Sequence, residues 1–151
     1  MGSRRAGAVF LAAVVLAGCG GGVPVATERR EVRATVRTFM RELAAAHGAT
    51  ACAGLTGSGQ SSVIATIGPE LGNFGIDSCA QVVAVTGAQL SATLRRELAN
   101  VQVGAVALHG ARATVRWSAV TSRFGDVAAY FGRAGAIELA DADGVWKISS
   151  L

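Results

Sequence analysis

Several residue patterns that support common enzyme chemistry are missing from this sequence. It contains no Gly-x-Ser-x-Gly, no His-Glu-x-x-His and no two-glycine dinucleotide fingerprint. Their absence removes the usual support for hydrolases, proteases and nucleotide-dependent enzymes. The chain has only two histidines, His47 and His109, and neither has the spacing to a cysteine that a zinc site needs. We therefore expect no catalytic residue set, no metal and no cofactor.

The segment from Gly54 to Ser61 has the glycine spacing of a phosphate-binding loop, but it lacks the lysine. Gln60 stands where that lysine would supply the positive charge, and the segment follows a predicted helix rather than a strand. The stretch from Gly57 to Ser62 is rich in glycine and serine, which interrupt regular structure. The sequence therefore predicts a flexible loop here rather than a phosphate site.

The chain also carries little net charge once its first residues are set aside. Its formal charge is +4 and its isoelectric point is about 9.6. Arg4 and Arg5 belong to the leader described next, and removing them leaves 12 basic against 10 acidic residues, a charge of +2. Such a balance does not indicate a nucleic-acid partner.

The apolar run at the N-terminus is too short to cross a membrane. Arg4 and Arg5 precede twelve residues from Ala6 to Ala17, whereas a membrane span needs roughly 20. Basic residues, a short apolar stretch and small residues before the cut are typical of a secretory signal peptide. We predict that residues 1–18 are such a peptide; the alternative is an uncleaved anchor helix.

The leader ends in Leu16-Ala17-Gly18-Cys19, which resembles the lipobox of bacterial lipoproteins. The resemblance implies that the Cys19 thiol receives diacylglycerol, that the leader is cut before Cys19, and that the new amino group can be acylated. Two or three lipid chains anchor a protein stably, whereas one holds it only marginally. The glycine-rich residues 19–26 are predicted to form a short flexible tether. The domain is then expected on the extracytoplasmic face of the cell membrane.

Cysteine is scarce, with three in the chain. An odd number in an exported protein leaves one thiol to be explained, and lipidation of Cys19 explains it. Cys52 and Cys79 remain as a pair in an oxidising compartment, where we predict a disulfide. The alternatives are two buried free thiols or a redox pair, although the wide spacing lacks the Cys-x-x-Cys arrangement.

The first predicted helix extends from Thr27 to His47, with Thr27 capping its start and Gly48 its end. Its apolar stripe recurs at three- and four-residue steps and consists of Val32, Val36, Phe39, Met40 and Leu43. One flank carries arginines without acidic partners on the helix, namely Arg30, Arg33, Arg37 and Arg41. This flank is either a solvated face or a surface that rests on anionic lipid headgroups beside the anchor.

Further helices are predicted before residue 100. One short helix extends from Ala49 to Leu55 and carries Cys52. Ser78 and Gln81 match a capping box that starts the next helix, which is expected to break at Gly87 and continue to Leu98.

Beyond Asn100 the apolar residues alternate with period two, which indicates strands. A phase slip at Gly104-Ala105 predicts a bulge, and one strand is predicted from Ala113 through Trp117 to Ala119. Asp143-Gly144 predicts a hairpin turn. Helices followed by antiparallel strands indicate one α+β domain over residues 27–151.

This order of elements resembles the nuclear-transport-factor-2-like superfamily. The residues that carry the resemblance are Ala113-Thr114-Val115 and Asp143-Gly144-Val145-Trp146-Lys147-Ile148. The resemblance implies a cone in which N-terminal helices pack on a curved antiparallel sheet around a cavity, and it implies that a homodimer can form through the sheet. The superfamily includes isomerases, dehydratases and binding modules, so the fold alone does not settle function.

Within such a cone, Trp117, Trp146 and Tyr130 are candidates for a wall that contacts an apolar ligand. The alternative for both tryptophans is core packing. An isomerase or dehydratase would need a base in the cavity, and the candidates are Asp126, Tyr130 and Glu138. The non-catalytic alternatives are a turn residue for Asp126, a wall residue for Tyr130 and a solvated strand residue for Glu138. We expect a non-catalytic accessory or binding lipoprotein for an apolar small molecule or an envelope protein. The alternative is a small cofactor-independent isomerase or dehydratase.

Overall fold

The computed structural model describes residues 24–71, 75–123, 125–131 and 135–151. They fold into helices followed by two antiparallel sheets, so the predicted α+β class is confirmed. The helices are α1 (Val25–Ala44), α2 (Gly48–Ala53), α3 (Gly57–Ile67), α4 (Cys79–Gln89), α5 (Ala92–Ala99) and α6 (Val127–Phe131). The strands are β1 (Gln102–Val103), β2 (Ala107–His109), β3 (Arg112–Arg116), β4 (Val120–Ser122), β5 (Gly125–Asp126), β6 (Ala136–Ala142) and β7 (Val145–Ser150).

Helix α1 has the predicted apolar face but different ends. Every residue of the predicted stripe is buried. The helix begins after Pro24, whose carbonyl oxygen accepts the N–H of Thr27 at 2.7 Å, so Thr27 lies inside the helix and does not cap it. Proline suits this start because it has no N–H to leave unpaired. The predicted cap at Gly48 is also wrong, because Gly48 begins α2, where a Cβ would overlap the carbonyl oxygen of Ala80.

Helix α3 replaces the flexible loop predicted between Gly57 and Ser62. The hydroxyl of Thr56 caps it by accepting the N–H of Gly59 at 3.1 Å. Gly59 faces β7 so closely that a Cβ there would overlap the carbonyl oxygen of Ile148. The prediction was wrong because glycine here permits close packing of a helix on a strand, and does not interrupt regular structure.

Helix α4 starts as predicted but does not break at Gly87. The hydroxyl of Ser78 accepts the N–H of Gln81 at 3.3 Å, which is the cap that the sequence indicated. Gly87 is buried inside the helix, where a Cβ would overlap the carbonyl oxygen of Leu43 in α1. The break comes later, where Ser91 caps α5. Gly87 is therefore a contact point between two helices rather than a helix end.

The strands form two sheets, one with the order β2-β3-β6-β7 and a smaller one with the order β1-β4-β5. The predicted bulge at Gly104-Ala105 is wrong, because β1 pairs with β4 while β2 pairs with β3. The phase slip marks the passage of the chain between sheets. The strand predicted through Ala119 ends at Arg116, and the 3₁₀ helix Trp117–Ala119 leads back to the small sheet.

The hairpin between β6 and β7 has the predicted turn. Asp143 and Gly144 have φ values of 56° and 81°, the left-handed conformation that two-residue hairpin turns require. The carboxylate of Asp141 accepts the N–H of Gly144 at 2.7 Å. On the other side of β7, the N–H of Thr56 donates to the carbonyl oxygen of Ile148 at 2.8 Å, so part of this sheet edge is paired.

One hydrophobic cluster joins residues of the helices and of both sheets. Helices α1 and α3 pack on β7, and α1 also packs on α5. The inward positions of β3 and β6 are buried and are Ala113, Val115, Ile137 and Leu139. Between them, Arg112 and Glu138 are exposed. The four-stranded sheet therefore has one face against the core and one face that carries polar residues.

Candidate functional site

The predicted disulfide between Cys52 and Cys79 is present. It joins α2 to α4, with the two Cα atoms 6.1 Å apart, and both cysteines are buried. The two helices approach closely at Gly48, where a side chain would not fit. The alternatives with free thiols therefore do not hold in this structure.

The predicted leader, Cys19 and the first part of the tether lie outside the described residues. Helix α1 begins at Val25, six positions after Cys19. No helix in the described ranges is both long enough and apolar enough to cross a bilayer. At up to about 3.5 Å per residue, a chain of this length between Cys19 and α1 spans at most roughly 20 Å. A lipid on Cys19 would thus hold α1 close to a bilayer.

The four arginines on the α1 flank differ in their contacts. Arg33 donates from Nε to a backbone carbonyl oxygen in the loop after β1, 2.9 Å away. Arg41 lies 3.3 Å from the carboxylate of Glu42, so the expectation of no acidic partner is wrong for Arg41, since it counted only three- and four-residue spacings. Arg30 and Arg37 are exposed, and neither forms an ion pair with a carboxylate that the structure describes.

Glu42 organises a small charge cluster at the end of α1. His47 Nδ1 lies 3.0 Å from one carboxylate oxygen, and Arg41 Nε lies 3.3 Å from the other. The hydrogen bond with His47 is the main cause that lowers the pKa of the Glu42 carboxyl; the hydrogen bond and charge of Arg41 act in the same direction, and burial opposes them. Arg41 and His47 are therefore engaged within the fold.

The three aromatic residues predicted as a cavity wall have different positions. Trp117 and Trp146 are each 5% exposed and belong to the hydrophobic core, as the core-packing alternative expects. Trp146 also lines a groove at the surface. The side chain of Tyr130 lies outside the described residues.

The Trp146 groove is an apolar cavity of about 280 Å³ between α1, α2 and the start of β7. Ala34 and Phe39 of α1 line it together with Val145, which is 57% exposed. The hydroxyl of Thr35 donates to the carbonyl oxygen of Trp146 at 3.2 Å, which fixes β7 against α1. Small-molecule sites usually measure about 300–1,000 Å³, so this groove suits a small apolar group or part of a longer one.

A polar concave surface of about 510 Å³ lies on the open face of the four-stranded sheet. Its lining includes His109, Arg112 and Glu138. Glu138 is exposed here, rather than placed in the buried pocket that an isomerase or dehydratase needs. The side chains of Asp126 and Tyr130 lie outside the described residues. Of the three residues proposed for the enzyme alternative, only Glu138 has a described side chain, and that side chain lies at the surface.

Glu97 in α5 is a buried residue that the sequence pattern did not predict as part of a site. It is 5% exposed and is the one buried charged side chain among the described residues. It lines a cleft of about 350 Å³ together with Thr93, Arg96, Asn100 and Arg123. Glu97 directly precedes Leu98, which is also buried in α5. A pattern of apolar residues in the sequence does not distinguish a buried charge from a solvated one, so it could not identify Glu97.

The described residues contain no group of three or more histidine, cysteine, aspartate or glutamate side chains that could hold a metal ion. Comparison of the chain with protein-family models, with curated proteins and with solved structures finds no match in any of the three. The resemblances to bacterial lipoproteins and to the nuclear-transport-factor-2-like superfamily therefore stay predictions.

Proposed function

We propose that this chain is a bacterial lipoprotein on the extracytoplasmic face of the cell membrane. Residues 1–18 act as its signal peptide, Cys19 carries the lipid, and the tether extends from Cys19 to Pro24, two residues shorter than the sequence predicted, because α1 begins at Val25. The disulfide between Cys52 and Cys79 carries the proposal, because structural disulfides form and persist in exported proteins. It accounts for two of the three cysteines and leaves Cys19, at the end of Leu16-Ala17-Gly18-Cys19, for the lipid.

The domain after the tether is a non-catalytic binding module with the cone-shaped arrangement of the nuclear-transport-factor-2-like superfamily. A helical layer against a four-stranded antiparallel sheet supports that arrangement. Its ligand is an apolar small molecule that enters the groove beside Trp146. The aromatic and aliphatic wall and the exposed side chain of Val145 support this choice, since apolar surface left in water is costly unless something covers it.

The lipid anchor is tested with Cys19→Ser in the cells that make the protein. We expect this substitution to abolish metabolic palmitate labelling and to move the protein from the detergent phase to the aqueous phase. Cys79→Ser is the matched control, because it also removes a thiol but leaves the lipobox intact, and it must still be labelled. Palmitate on the Cys19→Ser protein would refute the lipoprotein assignment.

The groove is tested by tryptophan fluorescence during titration with fatty acids and sterols. Trp117→Phe leaves Trp146 as the single reporter, and Trp146→Phe leaves Trp117 in the core. We expect a saturable change in the first protein and none in the second. Equal responses, or no response to any apolar ligand, would count against the groove as a ligand site. Cross-linking from Val145 to an envelope protein, without a ligand effect, would assign the groove to a protein partner instead.

We also propose that Arg30 and Arg37, the two exposed arginines of the α1 flank that form no ion pair with a described carboxylate, rest on anionic headgroups within reach of the tether. Each near-surface base adds on the order of 1 kcal/mol of membrane affinity. Arg30→Glu/Arg37→Glu in a Cys19→Ser background should lose retention on anionic vesicles. Arg112→Glu/Arg116→Glu makes the same charge change on the sheet face and should not. Equal retention of both proteins would show that the flank is merely solvated.

A further inference from the structure

The carboxylate of Glu97 is buried with very little compensation. The side chain is 5% exposed, and within the described residues it receives a hydrogen bond only from the hydroxyl of Ser122, at 3.3 Å. No described cation forms an ion pair with it. An ionised carboxylate that leaves water loses much hydration free energy unless a cation or several donors replace the water. Glu97 therefore has unused capacity to accept hydrogen bonds.

The Glu97 side chain lines a cavity. Thr93, Arg96, Glu97 and Asn100 line the cleft from α5, and their spacing of three, four and seven residues places them along one side of the helix. Arg123, which follows β4, lines it from the opposite side. The volume of about 350 Å³ falls within the roughly 300–1,000 Å³ of small-molecule sites.

The opposite charges of Glu97 and Arg96 determine which kind of ligand fits the cleft. Arg96 is exposed and lines the same cleft as the buried Glu97. A simple anion would be repelled by Glu97, and a simple cation would have to pass the guanidinium of Arg96. A metal ion would find a single carboxylate here, and the described residues contain no group of three or more histidine, cysteine, aspartate or glutamate side chains that could hold it. A molecule that carries a positive group at one end and a negative group at the other satisfies both parts of the cleft.

We propose that this cleft binds the primary ammonium group of a small zwitterion. The ammonium donates hydrogen bonds to the Glu97 carboxylate, and the anionic end of the same molecule contacts the guanidinium of Arg96. This chemistry has two sources, the phosphoethanolamine headgroup of a membrane lipid and a free amino acid. The site goes beyond the proposed function and does not depend on the lipid at Cys19.

The test is calorimetric titration of the mature lipidated protein in neutral detergent. The zwitterionic probes are glycerophosphoethanolamine and glycine. Ethylammonium supplies only the positive group, glycerol phosphate only the negative one, and glycerophosphocholine a quaternary ammonium that has no N–H to donate. We expect saturable binding of a zwitterion with a primary amine and at least roughly tenfold weaker binding of the last three probes, since hydrogen bonds to charged groups carry such factors.

Three substitutions separate the roles of the two charges. Glu97→Gln keeps an acceptor for Ser122 but removes the charge, and it should weaken zwitterion binding roughly tenfold or more. Arg96→Gln should weaken the zwitterion by a similar factor while leaving ethylammonium no weaker. Glu138→Gln is the matched control, an exposed carboxylate on the open sheet face, and should change nothing. Thermal unfolding of each variant establishes that it is folded.

The relative affinities of the two zwitterionic probes identify the natural source of the ligand. Tighter binding of glycerophosphoethanolamine than of glycine, with retention on vesicles that contain phosphatidylethanolamine, assigns the site to the headgroup, and the reverse order assigns it to amino acids. No saturable binding of any primary amine, or equal affinity of the Glu97→Gln protein, would overturn the proposal. The Cys19→Ser protein must bind the soluble probes as the lipidated one does, so failure of the anchor and failure of this site are distinguishable.

Discussion

Removal of the Cys52–Cys79 bridge should cost a large share of the stability of the domain. The two residues are 27 positions apart, and the loop-closure entropy for such a span corresponds to about 3.5 kcal/mol. Truncation of two buried sulfur atoms adds a cavity term of the same sign. Small domains are stable by only about 5–15 kcal/mol. We therefore expect Cys52→Ala/Cys79→Ala to lower Tm by roughly 10–15 °C.

Urea unfolding in a Cys19→Ser background measures this effect without a third thiol. The protein with both cysteines should unfold at a lower urea concentration when reductant is added, and the double variant should unfold near that reduced midpoint with or without reductant. An unchanged midpoint in the double variant would refute the reasoning. A shift of the double variant by reductant would show that the reagent acts by a route other than this bridge.

Substitutions at three further positions test other parts of the fold. Ser78→Ala removes the hydroxyl that caps α4 and should lower the free energy of unfolding by about 1 kcal/mol, measured by urea unfolding, whereas Ser78→Asp should retain most of it. Gly87→Ala places a methyl group against the carbonyl oxygen of Leu43 and should cost roughly 1–3 kcal/mol; a more stable variant would contradict the close approach of α1 and α4. Glu42 has a pKa lowered from 4.5 in the folded state, chiefly by His47, so its contribution is present above the unfolded pKa and is lost as pH falls through the folded one. Glu42→Gln should flatten the acid limb of the stability profile, and an unchanged limb would contradict this assignment.

The helices could be predicted where their stability depends on local sequence. The stripe on α1 repeats every three or four residues, and the cap at Ser78 needs only a neighbouring N–H, so both follow from the chain alone. Helix α3 could not be predicted in this way, because Gly59 is set by the approach of Ile148, which lies far along the sequence. Glycine permits a turn and a close contact equally, and only the tertiary structure distinguishes them.

Strands could be predicted only where they are long enough to show an alternating pattern. Strands β3, β6 and β7 have five to seven residues, which is enough for an alternating pattern to appear. Strands β1 and β5 have two residues each, and no period can be recognised in so short a segment. The apolar residues of β1 were joined to the alternating pattern of β2, and the passage of the chain between the two sheets at Gly104-Ala105 was therefore interpreted as a bulge.

The two candidate ligand sites also differ in whether the sequence alone could propose them. Trp146 could be proposed from sequence because an aromatic residue in a strand is conspicuous, although the groove that it lines depends on α1 and α2. Glu97 could not, because it lies beside Leu98 in a helix that is otherwise mostly exposed, where a carboxylate ordinarily reaches water. The hydroxyl that donates to it belongs to Ser122 in the small sheet, 25 residues later in the chain. Glu97 becomes a candidate site because the folded chain buries it while only one described side chain, Ser122, donates to its carboxylate, and that condition belongs to the fold rather than to any local pattern.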